Sequence, residues 1–160
     1  MLIRHLRWQT ELPTGCNVPD VLDKAQRSTC MSAIRSANTK PEIIVRRIAH
    51  ALGYRFRLHA SGLPGKPDIV FPRLKAVVFV HGCFWHQHTC NDGRLPTSRT
   101  YYWIPKLTRN RERDRQHTRR LRRLGWKVLT IWECQTSDRA ALRDQLSSFL
   151  DCAARIRAVR

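Results

Sequence analysis

The sequence predicts an α/β domain, a mixed sheet with helices on its faces and a crowded cysteine–histidine cluster at the end of one strand. Three observations predict it. The periodic segments run in the order helix, three strands, helix, strand, helix, which suits one mixed sheet covered by helices. Two of the strands, Asp68–Phe71 and Ala76–Val80, are apolar throughout, as strands covered on both faces are. The second of these empties into His81-Gly82-Cys83-Phe84-Trp85-His86-Gln87-His88-Thr89-Cys90. Two cysteines, three histidines and the adjacent Phe84 and Trp85 thus share the twelve residues from Phe79 to Cys90.

Taken in order, residues 1–22 show no sustained periodicity, and Pro13, Gly15 and Pro19 break any helix there, so a flexible N-terminal arm is expected. Residues 23–160 then form a single domain, a size that can bury a real core. A short helix is expected within residues 23–38. Thr39-Lys40-Pro41-Glu42 is a capping box with proline in the first turn, and Ile44, Ile48, Ala51 and Leu52 continue at helical spacing until Gly53. Tyr54, Phe56 and Leu58 alternate with Arg55 and Arg57, the period of a half-buried strand. A turn-rich loop, Ser61-Gly62-Leu63-Pro64-Gly65-Lys66-Pro67, leads into the two apolar strands, which are joined tightly through Pro72 and Arg73. A long helix is expected from Tyr101 to Leu124, closed by Gly125, with Leu107, Asp114, Leu121 and Leu124 on one line of an Arg-rich surface. Trp126–Trp132 reads as a strand with both tryptophans in the core. Leu142, Leu146, Phe149, Leu150 and Ala153 make a final amphipathic helix.

Charge narrows the function. Thirty basic against twelve acidic residues give a net charge of +18, and most of the bases are arginine. The planar guanidinium fork suits phosphates, so a polyanion is the natural partner. Nucleic acid outranks a membrane, since no spanning or surface-anchoring segment is present. Met1–Trp8 is interrupted by charge and does not read as a signal peptide, so a cytoplasmic chain is expected. There the six cysteines point to metal binding and buried thiols more than to disulfides.

Cys83, His88 and Cys90 fall one short of the four nitrogen and sulfur ligands of a structural zinc site. Cys134 is the best fourth, because it follows a strand and strand ends on one sheet edge converge. Asp68, at the start of an apolar strand, is the only carboxylate between Glu42 and Asp92. A carboxylate so placed can hold Mg²⁺ against a scissile phosphate, where the ion polarises the phosphoryl oxygen and acidifies the attacking water. His81 and His86 are not needed for zinc, and histidine titrates where a general base must. Asp114 could orient one of them, although spacing alone favours an ion pair with Arg111 or Arg115. Glu42 could act near the metal through water, and its capping role explains it equally well. Phe84, Trp85 and Trp103, beside basic segments, are either core aromatics or groups that stack on or wedge between bases.

Together, Met31-Ser32-Ala33-Ile34, Leu63-Pro64-Gly65-Lys66-Pro67-Asp68, the run from His81 to Cys90, Asn110 to Arg115, and Leu124-Gly125-Trp126 through Trp132-Glu133-Cys134 resemble the very-short-patch repair (Vsr) endonucleases. The resemblance spans about residues 23–138. It implies a restriction-endonuclease-like fold and a monomeric, Mg²⁺-dependent bacterial enzyme of the cytoplasm, nucleoid-associated when bound to DNA. Such an enzyme nicks double-stranded DNA 5′ of the T in a T·G mismatch. That lesion arises by deamination of 5-methylcytosine, so a cytosine-5 DNA methyltransferase is the implied genomic companion and mismatch-repair proteins are candidate partners. Carried over residue by residue, Asp68 is the Mg²⁺ ligand, with Val80 lending a backbone carbonyl. His86 activates the water, supported by His81, Asp114 and Glu42. Phe84, Trp85 and Trp103 form a wedge from the major groove, Met31 a probe from the minor groove, and Cys83, His88, Cys90 and Cys134 the zinc set. Val80 stands where familiar members have threonine, a change that spares the carbonyl. Two rival readings remain: a restriction-type endonuclease, against which the missing acid-x-Lys pair speaks, and a zinc-stabilised DNA-binding module without catalysis.

Overall fold

The computed structural model describes residues 37–158. The expected N-terminal arm, its boundary with the domain, Met31 and nearly all of the segment expected to form a first helix lie outside these residues. Helix α1 is Lys40–Ala51, followed by β1 (Arg57–Leu58), β2 (Ile69–Phe71), β3 (Ala76–His81), α2 (Thr100–Arg123), β4 (Lys127–Trp132) and α3 (Arg139–Ala158). The sheet order is β1-β2-β3-β4, with the first three strands antiparallel and β4 parallel to β3. The expected mixed sheet flanked by helices is therefore the observed one.

The capping box starts α1 as the sequence predicts: Glu42 N–H donates to Thr39 Oγ1 at 3.4 Å, and Thr39 N–H donates back to Glu42 Oε1 at 3.4 Å. Helices α1 and α2 end alike. Gly53 (φ 81°) and Gly125 (φ 78°) adopt the left-handed conformation, and the next residue's N–H reaches back, Tyr54 to Ala49 and Trp126 to Leu121. This is the Schellman arrangement, for which glycine carries no Cβ penalty.

The strand alternation sorts the core into two layers. On one face Ile69, Phe71, Ala76, Val78 and Ile131 pack against Val45 and Ala49 of α1 and Leu142, Leu146, Leu150 and Ala153 of α3. On the other, Val70, Val77 and Phe79 meet Leu121 of α2, with Trp126 and Val128 beside them. Both faces are covered, which is why β2 and β3 are apolar at every position.

Two expectations need correction. The strand expected from Tyr54 shrinks to Arg57–Leu58, which pair with Val70 and Ile69 of β2. Tyr54 and Phe56 instead set their ring edges against Phe71. Leu124 is not on the buried line of α2: as the C-cap it has turned away from the sheet and is 56% exposed.

Candidate active site and metal centre

The site is built where β3 and β4 end side by side. Their parallel register pairs His81 with Trp132, so Cys83 and Cys134, each two residues further on, leave the same edge of the sheet together. Cys134 rides a 3-10 turn, Glu133–Thr136, tied down by Trp132 N–H to Gln135 Oε1 at 2.8 Å and Thr136 Oγ1 to the Glu133 carbonyl at 2.7 Å. The loop from Cys83 folds back through His88 N–H to the Cys83 carbonyl at 3.0 Å. Gly93 closes it, for a Cβ there would lie 1.9 Å from the His88 carbonyl oxygen.

One ligand atom from each of Cys83, His88, Cys90 and Cys134 lies within 4.8 Å of all the others. His88 presents Nδ1, which is 3.4 Å from Cys134 Sγ and 3.9 Å from Cys83 Sγ. The Cys134 N–H donates to Cys83 Sγ at 3.4 Å, the sort of outer contact that steadies a thiolate ligand. Burial pushes the Cys83 thiol up to about 12 and the Cys134 thiol up as well. Thiols this crowded resist ionisation unless a cation joins them, so the donor set fits a closed, four-coordinate zinc site.

Gln87 separates two side-chain clusters. It lies in the left-handed region (φ 51°) between His86 and His88, and its amide oxygen accepts from Arg111 at 3.2 Å. His88 belongs to the cysteine cluster, whereas His86 meets α2 through Nδ1, 2.5 Å from Asp114 Oδ2. A carboxylate can only accept, so in this bond Nδ1 carries the proton and Nε2 points away from Asp114. Burial pushes the Asp114 carboxyl up, but the hydrogen bond and charge of His86, with His81 and Arg113, outweigh it and hold Asp114 below its ordinary value. The ion pair with Arg111 or Arg115 that spacing favours gives way to this bond. His81 stacks on His86 at 3.8 Å and 9°. Burial first, then the charge of His86, lowers its pKa to about 4, so the His81 ring is neutral at neutral pH. Trp132, expected in the core, lies between the two centres, stacked on His88 at 4.4 Å and edge-on to His81 at 5.5 Å.

Asp68 stands opposite the far half of β3, where its Oδ2 accepts the Val80 N–H at 2.7 Å. Burial raises its carboxyl to about 6 against the Val80 hydrogen bond, and the neighbouring Glu42 adds to the rise. His59 and Arg46 pull it down only in part, so the carboxyl stays raised; a divalent cation would favour its ionised form, and the residues present fit a hard-ion site. Glu42 is 3% exposed and bonded to Arg46 Nη2 at 2.6 Å as well as to its capping partners. Sequence reading passed over His59, whose Nε2 lies 3.9 Å from Glu42 Oε2. Its only sequence signal is its place directly after the Tyr54–Leu58 alternation.

Phe84 and Trp85 are neighbours in the sequence, and on a regular strand they would face apart. The loop turns between them, and they share one cluster. Phe84 meets Trp85 at 5.1 Å and Trp103 at 5.2 Å, both edge-on. Trp103 is 5% exposed and forms the base of the group, while Tyr101, two residues earlier on α2, is 80% exposed. Lys106 lies 5.2–5.6 Å from the rings of Tyr102, Trp85 and Trp103, and Asn110 Nδ2 holds the Trp85 carbonyl at 3.1 Å. Tyr102 and Lys106 carry no role in the sequence reading, and Asn110 enters it only as the first residue of the Asn110–Arg115 segment.

Among the described residues, no helix is long and apolar enough to cross a membrane. Comparison with known proteins gives the chain its relatives. Residues 19–92 match the family described as "DNA mismatch endonuclease Vsr". The chain is 50% identical over 132 residues, 82% of its length and 97% of the relative's, to the "Type II nicking enzyme V.XorIIP" of Xanthomonas oryzae pv. oryzae. It is 42% identical to the "Type II nicking enzyme V.NmeAIP" of Neisseria meningitidis, over 80% of this chain and 91% of that one. It is also 43% identical to the "DNA mismatch endonuclease Vsr" of Escherichia coli, over 79% and 81% of the two chains. With the Cys83–Cys134 cluster, the Asp114–His86 pair and Asp68 on one sheet edge, and with this depth of identity, the chain belongs to the Vsr DNA mismatch endonuclease family.

Proposed function

We propose that this protein is a DNA-nicking endonuclease that cuts one strand of a duplex 5′ of the T in a T·G mismatch, opening very short patch repair. The observation that carries the reading is the Asp114–His86 pair, set at the end of the strand whose Val80 N–H holds Asp68. Asp114 fixes the His86 tautomer, so Nε2 is free to take the proton of the attacking water. His81, neutral and stacked on His86, supports the ring without adding a competing charge. Asp68, with the carbonyl of Val80 and Glu42 nearby, would hold the Mg²⁺, which when bound neutralises the phosphoryl oxygen and acidifies the water. Cys83, His88, Cys90 and Cys134 would hold zinc and keep the His81–Cys90 loop in one shape.

Phe84 and Trp85, seated on Trp103, form the wedge that opens the stack beside the mismatch, where the weakened pair makes unstacking cheap. Arginines of α2 hold the phosphates, and Met31 is assigned to the minor groove by resemblance alone. The domain comprises residues 23–160, acts as a monomer, and serves in the bacterial cytoplasm alongside a cytosine-5 DNA methyltransferase.

A labelled duplex with a single T·G pair, incubated with Mg²⁺, tests this. One nick 5′ of the T, lost in Asp68→Ala, is expected; equal cutting of the matched duplex overturns it. A second reading, that the base sequence around the site defines the substrate, is favoured by the type II names of two relatives. Moving the T·G pair through different flanking sequences separates the two.

A further inference from the structure

Beyond Asp68, the antiparallel register of β1 and β2 brings a nitrogen ligand to the same place. Leu58 pairs with Ile69, so the next residue, His59, falls opposite Asp68, and its N–H meets the Asp68 carbonyl at 3.4 Å. His59 takes a left-handed turn (φ 46°), and one ligand atom each from Glu42, His59 and Asp68 lies within 4.8 Å of the others. The chain itself already places a cation there. Arg46 Nη2 lies 2.6 Å from Glu42 Oε2 and 3.0 Å from His59 Nε2, so Nε2 turns its lone pair toward positive charge. The same guanidinium has a buried Nε with no partner among the described residues, so this side chain is not locked at every donor.

We propose that Glu42, His59 and Asp68 form a mixed nitrogen–oxygen cation site, in which His59 Nε2 makes this chain hold Mn²⁺ in preference to Mg²⁺. The inference rests on the nicking reading above, which asks only for a divalent ion at Asp68. Mg²⁺ favours oxygen ligands and gains little from imidazole, whereas first-row transition ions gain more along the series. The ion takes the place of Arg46 at His59 Nε2, while Glu42 keeps its capping bonds.

Mn²⁺ binding to the zinc-loaded protein tests the proposal by electron paramagnetic resonance, with Mg²⁺ as competitor. One Mn²⁺ is expected, with imidazole ¹⁴N coupling in the pulsed spectrum, and Asp68→Asn should abolish its binding. His59→Gln and His59→Asn, the latter tolerant of the left-handed backbone, should lose the coupling. Both should weaken Mn²⁺ about tenfold or more while leaving Mg²⁺ affinity unchanged. Circular dichroism checks that each variant folds. Coupling and affinity unchanged in both His59 variants would overturn the proposal and leave the nicking reading standing. Coupling lost in His86→Ala instead, or Mn²⁺ binding that survives Asp68→Asn, would also overturn it. Mn²⁺ bound as expected by a protein that cuts no T·G duplex would sink the nicking reading and keep the site.

Discussion

Asp68 carries two opposed demands, and both can be measured. Burial lifts its folded-state carboxyl to about 6 from an ordinary 3.8, so the metal-free folded state holds that proton more tightly than the unfolded chain does. This contribution to stability is complete below pH about 4 and is lost as pH rises through about 6. Asp68→Asn should therefore stabilise the metal-free protein at neutral pH, by on the order of 1–3 kcal/mol in a denaturant titration, while abolishing nicking. No stability gain at pH 7.5 would count against a buried, uncompensated carboxylate. Asp114 works in the other sense. Asp114→Asn turns an acceptor that selects the His86 tautomer into a group indifferent to it. Nicking should fall by roughly two to four orders of magnitude with duplex affinity preserved, measured as single-turnover rates beside a binding isotherm.

At the scale of elements, the loop after β3 holds its shape through contacts that no single side chain supplies. Gly93 abuts the His88 carbonyl, Gln87 reverses the backbone between His86 and His88, and Trp132 of β4 braces His88 and His81 together. Gly93→Ala should displace His88 and release zinc, seen by a chromophoric chelator at a concentration the parent protein withstands. Retained zinc with unaltered affinity would show that the loop relaxes around the new methyl. The caps of α1 and both Schellman ends were legible in the sequence because they depend on residues within a few positions. The short β1 was not, since where a strand stops pairing is set by its contacts with β2 and not by its own alternation. The shared cluster of Phe84 and Trp85 was equally hidden, because alternation governs strands and these residues lie in a turn.

Across the molecule, the sheet separates two tasks. One face, with α1 and α3, is a dry core: Leu146 is fully buried there, and Leu146→Ala should cost about 2–5 kcal/mol of unfolding free energy without changing the zinc stoichiometry. The other face carries α2, whose buried residues Trp103, Leu107 and Leu121 are set in an arginine-rich helix. With a net charge of +18, duplex binding should fall steeply with salt, by at least a hundredfold between 50 and 200 mM. Fluorescence anisotropy would show it, and a shallow dependence would mean that phosphate contacts contribute little.

The amino-acid sequence by itself determined the helix starts and stops, the two-sided apolar strands, the kinds of ligand gathered after β3 and the polyanion as partner. All of these follow from composition and short-range spacing. Converging strand ends already pointed to Cys134 beside His88, but only the tertiary structure decided that Asp68 meets Val80 across 12 residues, His86 meets Asp114 across 28, and His59 meets Asp68 through strand register. Those distances are set by pairing and by helix packing on the sheet, long-range terms that no local pattern encodes.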